Sequence, residues 1–222
     1  MKILFIGDIV GNPGRNAVRA LLPELKKEKD IGFVIANAEN AAGGSGITPR
    51  VAQELFESGA DVLTAGDHIW KKRDVLEIIE LDRRIVRPAN FPSGAPGHGW
   101  NVFEARDGVR VGVINVNGRV FMDALECPFR TAKHAQEILV QETPIIIVDM
   151  HAEATSEKVA LGWYLDGKVS AVLGTHTHIQ TADEKILPAG TAYITDVGMT
   201  GPYDSVIGRR VEDVLERFLT AI

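Results

Sequence analysis

Short apolar runs rich in β-branched residues recur along the chain, each followed by a polar turn and then by helical spacing. Such alternation predicts βαβ units and parallel strand pairing. Residues 3–6 run into Gly7-Asp8, and helical spacing follows over 17–25 before the exposed Lys26-Lys27-Glu28-Lys29. Residues 33–36 run into Asn37-Ala38-Glu39-Asn40, then a Gly-rich turn and a helix over 49–58. Residues 61–65 run into Gly66-Asp67-His68, with a helix expected over 74–81.

The middle of the chain changes character. Runs at 100–104 and 109–116 flank Asp107-Gly108, a dipeptide that favours a tight hairpin, so this pair is expected to be antiparallel. The apolar run 144–148 leads into Asp149-Met150-His151, a helix is expected over 155–164, and a strand over 169–173 runs into Gly174-Thr175-His176-Thr177-His178. A strand over 191–195 precedes Asp196-Val197-Gly198, and an amphipathic helix over 211–221 closes the chain. Phe121, Met122, Pro128 and Phe129 form an apolar cluster outside any clear helical period, readable as a lid, a subunit contact or core packing. The pattern predicts an α/β fold with two packed sheets and helices outside. With 222 residues it fits one domain spanning 1–222, with a small inserted segment around 90–130 and the Pro/Gly-rich stretch 90–99 as the internal seam.

Composition narrows the classes of function. Twenty-four Lys and Arg against 30 Asp and Glu give a net charge of −6, which disfavours a sequence-independent nucleic-acid binder dependent on phosphate neutralisation. The single Cys127 cannot form an internal disulfide and suits a reducing compartment. No apolar stretch approaches a membrane span and the first residues lack a signal-peptide layout, so a cytoplasmic protein is expected.

Five strand ends carry groups able to bind metal: Asp8, Glu39 with Asn40, Asp67 with His68, His151, and His176 with His178. In open α/β sheets the carboxyl ends of the strands line the ligand crevice, so these groups are expected to converge. Singly each has a plainer reading as a cap, a loop polar or a packed histidine; their coincidence is the argument. Strand alternation would point His176 and His178 the same way, roughly 7 Å apart. Carboxylate, imidazole and amide oxygen together suit manganese, iron or zinc, and with one cysteine a structural thiolate site is excluded. Seven or eight ligands exceed the need of one ion that keeps an open position, so two ions sharing a carboxylate fit better. The turn over residues 41–46 is either a backbone N–H cradle for phosphate or an ordinary turn. Gly7 to Gly14 lacks nucleotide-loop spacing.

The order Gly7-Asp8, Asn37-Ala38-Glu39-Asn40, Gly66-Asp67-His68, His151 and Gly174-Thr175-His176-Thr177-His178 resembles the calcineurin-like metallophosphoesterases. Residues 5–11, 41–44, 118–122, 128–130, His151-Ala152-Glu153-Ala154-Thr155-Ser156-Glu157-Lys158 and 195–202 resemble more narrowly the bacterial YmdB-type subgroup over nearly the whole length. That resemblance implies a four-layer αββα sandwich and a di-metal phosphodiesterase acting on 2′,3′-cyclic nucleotides, with links to RNA regulation and a homo-oligomeric state. Asp8, Glu39 and His178, with Asn40 nearby, would hold one ion. Glu39, Asp67, His151 and His176 would hold the other, making Glu39 the bridge. His68 would face the substrate as proton donor to the departing ribose oxygen, while two cations would acidify a bridging water into the attacking hydroxide. The resemblance departs at two points. The subgroup usually has Asn where this chain has Asp67, which puts activity or metal preference in question, and relatives are expected to continue past Ile222. Rival readings are a binding protein that keeps metal and nucleotide with little turnover, and an amidohydrolase, in which the His-x-His pair normally sits on the first strand rather than near the end.

Overall fold

The computed structural model describes residues 1–221, and Ile222 lies outside the described residues. The first half builds β1 (Lys2–Ile6), α1 (Gly11–Glu28), β2 (Ile31–Asn37), α2 (Pro49–Glu57), β3 (Val62–Thr64) and β4 (Ile85–Val86). These strands form one sheet in the order β1-β2-β3-β4, every pair parallel, because each connection is a crossover and none is a hairpin. The second half builds β5 (Trp100–Glu104), β6 (Arg110–Asn117), α3 (Pro128–Leu139), β7 (Ile146–His151), α4 (Thr155–Tyr164), β8 (Ala171–Thr175), β9 (Lys185–Ile186), β10 (Ala192–Ile194) and α5 (Val211–Thr220). Its sheet has the order β5-β6-β7-β8-β10-β9 and is mixed, with the β5-β6 hairpin and β9-β10 antiparallel and the centre parallel.

Three apolar layers alternate with the two sheets. Phe33 and Ile35 of β2, Val62 of β3, Val111 and Val113 of β6 and Ile147 of β7 pack between the sheets. The intervening residues Val34, Ala36 and Leu63 face the opposite way, onto Leu22 of α1 and Leu55 of α2. On the far side Ile114, Val148 and Met150 meet Ala132, Ala135 and Leu139 of α3 and Leu161 of α4. Strands buried on both faces read as near-continuous apolar runs, as these do. The result is helices, sheet, sheet, helices, the sandwich the sequence predicts.

Several boundaries differ from expectation. α1 starts at Gly11 rather than near residue 17, because the Gly-Asn-Pro-Gly segment occupies its first turn, where Pro is tolerated. The helix expected over 74–81 is instead two short 3₁₀ turns, Ile69–Lys71 and Arg73–Glu77, separated by Lys72 in extended backbone. The apolar cluster 121–129 divides: Pro128 opens α3, Met122 and Phe129 pack on the second core, and Phe121 is 90% exposed at a positive φ. Residues 100–117 of the expected inserted segment supply β5 and β6 of the second sheet.

Candidate metal centre

On the face between the sheets, apolar positions give way to polar ones as each strand nears its carboxyl end. β2 runs Phe33, Ile35, Asn37; β3 Val62, Thr64; β6 Val113, Asn115, Asn117; β7 Ile147, Asp149, His151; β8 Ala171, Leu173, Thr175. Alternation places each set on one face, so five strands deliver polar groups to one buried layer. Asp149, fully buried there, accepts from Thr64 Oγ1 at 2.5 Å, Thr175 Oγ1 at 2.7 Å and Asn37 Nδ2 at 3.1 Å. Burial pushes its carboxyl above the usual range, against the pull of His151 and those donors. Thr175 has spent its proton on Asp149, so it accepts from His151 Nδ1 at 2.9 Å, and Nε2 of His151 is left facing the loops above the strands.

Those loops bring the acids. Glu39 is fully buried; its Oε2 lies 3.2 Å from His151 Nε2 and accepts from the His68 backbone N–H at 3.1 Å. Asp67 Oδ1 lies 3.2 Å from the same His151 Nε2 and 3.5 Å from His176 Nδ1, and His176 Nδ1 is 3.0 Å from His151 Nε2. One ligand atom from each of Glu39, Asp67, His151 and His176 falls within 4.8 Å of all the others. Gly66 makes the approach possible, since a Cβ there would land on Glu39 Oε2 and His151 Nε2.

Beside this group lies Asp8, fully buried, its Oδ2 accepting from the His176 backbone N–H at 3.1 Å. Its Oδ1 has no hydrogen-bond partner among the described residues and sits 3.7 Å from His178 Nε2. Burial raises the Asp8 carboxyl to about 6. A buried carboxylate oxygen without a donor is costly unless a cation meets it. Burial opposes charge on both Glu39 and His151, yet their mutual attraction prevails, holding Glu39 well below the usual carboxylate range and His151 well above the usual imidazole value. Burial, reinforced by the His151 charge, lowers His176 to about 4.

The residues fit a metal centre on two counts. Ligand atoms about 2.1 Å from a shared ion stand about 3.0 Å apart along an octahedral edge and about 3.4 Å along a tetrahedral one; the separations of 3.0 to 3.5 Å above match. Each of these three histidines also turns its outer nitrogen to an acceptor outside the ligand set: His151 Nδ1 to Thr175, His176 Nε2 to Glu153 Oε2 at 3.2 Å, and His178 Nδ1 to the Ile207 carbonyl at 2.9 Å. Metal-bound imidazoles are oriented in this way.

The expected site residues are thus gathered, with differences in detail. The strand ends at Thr175, and His176 and His178 take left-handed backbone at φ 96° and 66°, so strand alternation does not govern them and they face different partners. Their loop is tied down where Asp196 Oδ2 accepts from Thr177 Oγ1 at 2.6 Å and from Lys158 Nζ at 2.7 Å. Asn40 presents Nδ2, not Oδ1, toward Glu39 Oε1 at 2.8 Å and His178 Nε2 at 3.2 Å, because Oδ1 engages His68 Nδ1 at 2.8 Å. His68 is half-buried beside a cavity of about 710 Å³ that also reaches Glu39, Asn40, His176 and His178. The neighbouring Glu39 raises its pKa from 6.5, with burial opposing and Asp67 assisting. Residues 41–46 are no phosphate cradle: each backbone N–H there is already donated within or next to the turn. Sequence reasoning misses Glu153, two residues after a strand-end histidine, and also Asp149 and Thr175, whose shared inner face is readable from alternation. A second cavity of about 770 Å³, between Trp100 of β5 and His134 of α3, contains none of the expected ligands.

Comparison with known proteins places this arrangement in a family. The YmdB-like protein family model matches residues 4–222. The 2′,3′-cyclic-nucleotide 2′-phosphodiesterase of Bacillus subtilis is 52% identical over 220 residues, covering 99% of this chain and 83% of that protein. The crystal structure of a hypothetical protein from Thermus thermophilus superimposes with a TM-score of 0.94 at 46% identity, over 100% of this chain and 86% of that one. The crystal structure of a novel phosphatase from Mycoplasma pneumoniae gives 0.91 at 36% identity, over 100% and 80%. The chain belongs to the YmdB-like family.

Proposed function

We propose that this chain is a di-metal phosphodiesterase that opens 2′,3′-cyclic nucleotides. The observation that carries the reading is the convergence of Glu39, Asp67, His151 and His176 at one edge of a nucleotide-sized cavity, with each imidazole already oriented from outside. The name of the Bacillus subtilis relative supports the substrate class. Glu39, Asp67, His151 and His176 would hold one ion; Asp8, His178 and the shared Glu39 would hold the other, with Asn40 nearby. Iron or manganese suits this mixture of carboxylate and imidazole, with zinc as a further candidate. When bound, the pair of cations supplies an acidified water and neutralises charge on the phosphate oxygens.

The remaining work falls to the chain's own groups. His68, beside the cavity with its Nδ1 on Asn40 Oδ1, is placed to give a proton to the ribose oxygen that leaves. Asn40 Oδ1 at 2.8 Å from His68 Nδ1 fixes the ring, with Nε2 3.6 Å from Asp67 Oδ2. In this proposal the chain is one domain, bacterial and cytoplasmic, acting as a homo-oligomer with links to RNA regulation; light scattering on the purified chain tests the oligomer. The test of His68 is hydrolysis of a 2′,3′-cyclic nucleotide by His68→Ala. A loss of about 10²- to 10⁴-fold in kcat with metal content unchanged supports the assignment; loss of metal instead would make His68 a ligand.

A further inference from the structure

Part of the cavity lining comes from the segment 207–217, which meets His178 at the Ile207 carbonyl and runs into α5, and it carries three arginines: Arg209, Arg210 and Arg217. Arg210 Nε lies 3.8 Å from Glu212 and 3.9 Å from Asp213, so it has two acidic neighbours. The guanidinium groups of Arg209 and Arg217 make no hydrogen bond or ion pair among the described residues. The two other exposed acids on the cavity wall are already engaged, Glu153 with His176 and Asp213 with Arg210. Two arginines without a side-chain partner among the described residues therefore line the same concave space as Glu39, His176 and His178 of the candidate metal centre.

An arginine on an exposed helix is ordinarily a solvated residue. Here the arginines line a cavity of about 710 Å³, far larger than a single phosphate needs and within the span of about 300–1,000 Å³ typical of whole small-ligand sites. Guanidinium presents a planar fork of donors that matches phosphate in pairs of hydrogen bonds. The scissile phosphate belongs with the metal ligands, so anion recognition by the arginine wall calls for a second anionic group on the same substrate. In a 2′,3′-cyclic nucleotide the chemical position for one is the 5′ oxygen.

We infer that Arg209 and Arg217 bind a second phosphate of the substrate, so that the preferred substrate is a nucleotide or an oligonucleotide end that carries a 5′-phosphate in addition to its 2′,3′-cyclic phosphate. The inference rests on the phosphodiesterase reading above and names the substrate class within it. In this inference the arginines hold the second phosphate and not the reacting one, and their contribution is to KM. Because that contact is electrostatic and exposed, it weakens with ionic strength.

The test compares adenosine 2′,3′-cyclic phosphate with the dinucleotide that ends in the same cyclic phosphate, using metal-loaded protein. The wild-type chain is expected to favour the dinucleotide in kcat/KM by about tenfold or more, through KM. Arg209→Ala combined with Arg217→Ala is expected to erase that preference, while Arg209→Lys with Arg217→Lys retains part of it. Equal kcat/KM for the two substrates in the wild type, or an unchanged preference in the double alanine variant, overturns the inference while leaving the phosphodiesterase reading intact. If neither substrate is hydrolysed, the phosphodiesterase reading fails by itself. The arginine site is then read by calorimetry, comparing adenosine 3′,5′-bisphosphate with adenosine 3′-phosphate: at least tenfold tighter binding of the bisphosphate, lost in the alanine variant, upholds the second phosphate site, and equal affinities overturn it.

Discussion

Lys158→Met should destabilise the protein strongly although the residue touches none of the candidate metal ligands. Lys158 is 1% and Asp196 0% exposed, and their charged atoms are 2.7 Å apart. Removing one partner of a buried ion pair costs about 3–5 kcal/mol, because the remaining charge stays desolvated. Asp196 keeps three other donors, the N–H and Oγ1 of Thr177 and the N–H of Gly198, which places the expected loss near the lower end, about 3 kcal/mol. For a chain of this length each kcal/mol moves the melting temperature by about 2–4 °C, so the variant should melt roughly 6–12 °C lower. Thermal and urea unfolding of Lys158→Met, Asp196→Asn and the double variant form a cycle, and the double variant should be more stable than the two single losses predict by at least about 1 kcal/mol. Because Asp196 also holds Thr177, between the two left-handed histidines, metal affinity should fall with stability. A drop below about 1 kcal/mol for Lys158→Met, or additive losses in the cycle, would refute the claim that this pair anchors the histidine loop.

Three further outcomes follow from the same geometry. Thr175→Val strips His151 Nδ1 and Asp149 of the hydroxyl between them, and metal affinity measured by competition with a chelator should fall about 10- to 100-fold while the fold survives. Gly66→Ala drives a methyl group onto Glu39 Oε2 and His151 Nε2; the purified variant should show substoichiometric metal by elemental analysis, and full loading would contradict the close approach. Asp67→Asn removes one negative charge from a cluster that also holds Asp8 and Glu39, weakening metal binding and, at matched metal loading, raising phosphodiester turnover; unchanged or slower turnover would reject that reasoning.

Much of this site is legible in the sequence because the fold class makes strand ends converge and the chain writes its ligands there. Asp8, Glu39, Asp67, His151 and His176 are each found within two or three residues of a strand end, and the Asp107-Gly108 hairpin joins β5 to β6 as expected. The failures are local and physical. Alternation stops at Thr175 and does not carry on to His176 and His178, where positive φ angles break it. α3 escapes a reading by periodicity because its buried face, Ala132, Ala135 and Leu139, is small and begins after a proline that reads as a loop. The facing of the Asn40 amide depends on which neighbours claim it, His68 on one side and Glu39 on the other, and no spacing encodes that choice. Asp149 and Thr175 lie on adjacent strands far apart in sequence, so their service to His151 emerges only from the β7-β8 register, which sets His151 opposite Thr175.

The most direct test is metal content per chain by elemental analysis, paired with hydrolysis of bis-p-nitrophenyl phosphate in manganese, for the wild type and for Glu39→Gln. Glu39 lies 3.2 Å from His151, and its Oε1 accepts from the Asn40 amide that also reaches His178; in the proposed scheme it is the residue the two sites share. Two ions per chain with robust hydrolysis, falling to one or none with hydrolysis lost in Glu39→Gln, is the predicted result. Hydrolysis that persists after chelation, or a Glu39→Gln variant that keeps both metal and activity, would contradict the di-metal account.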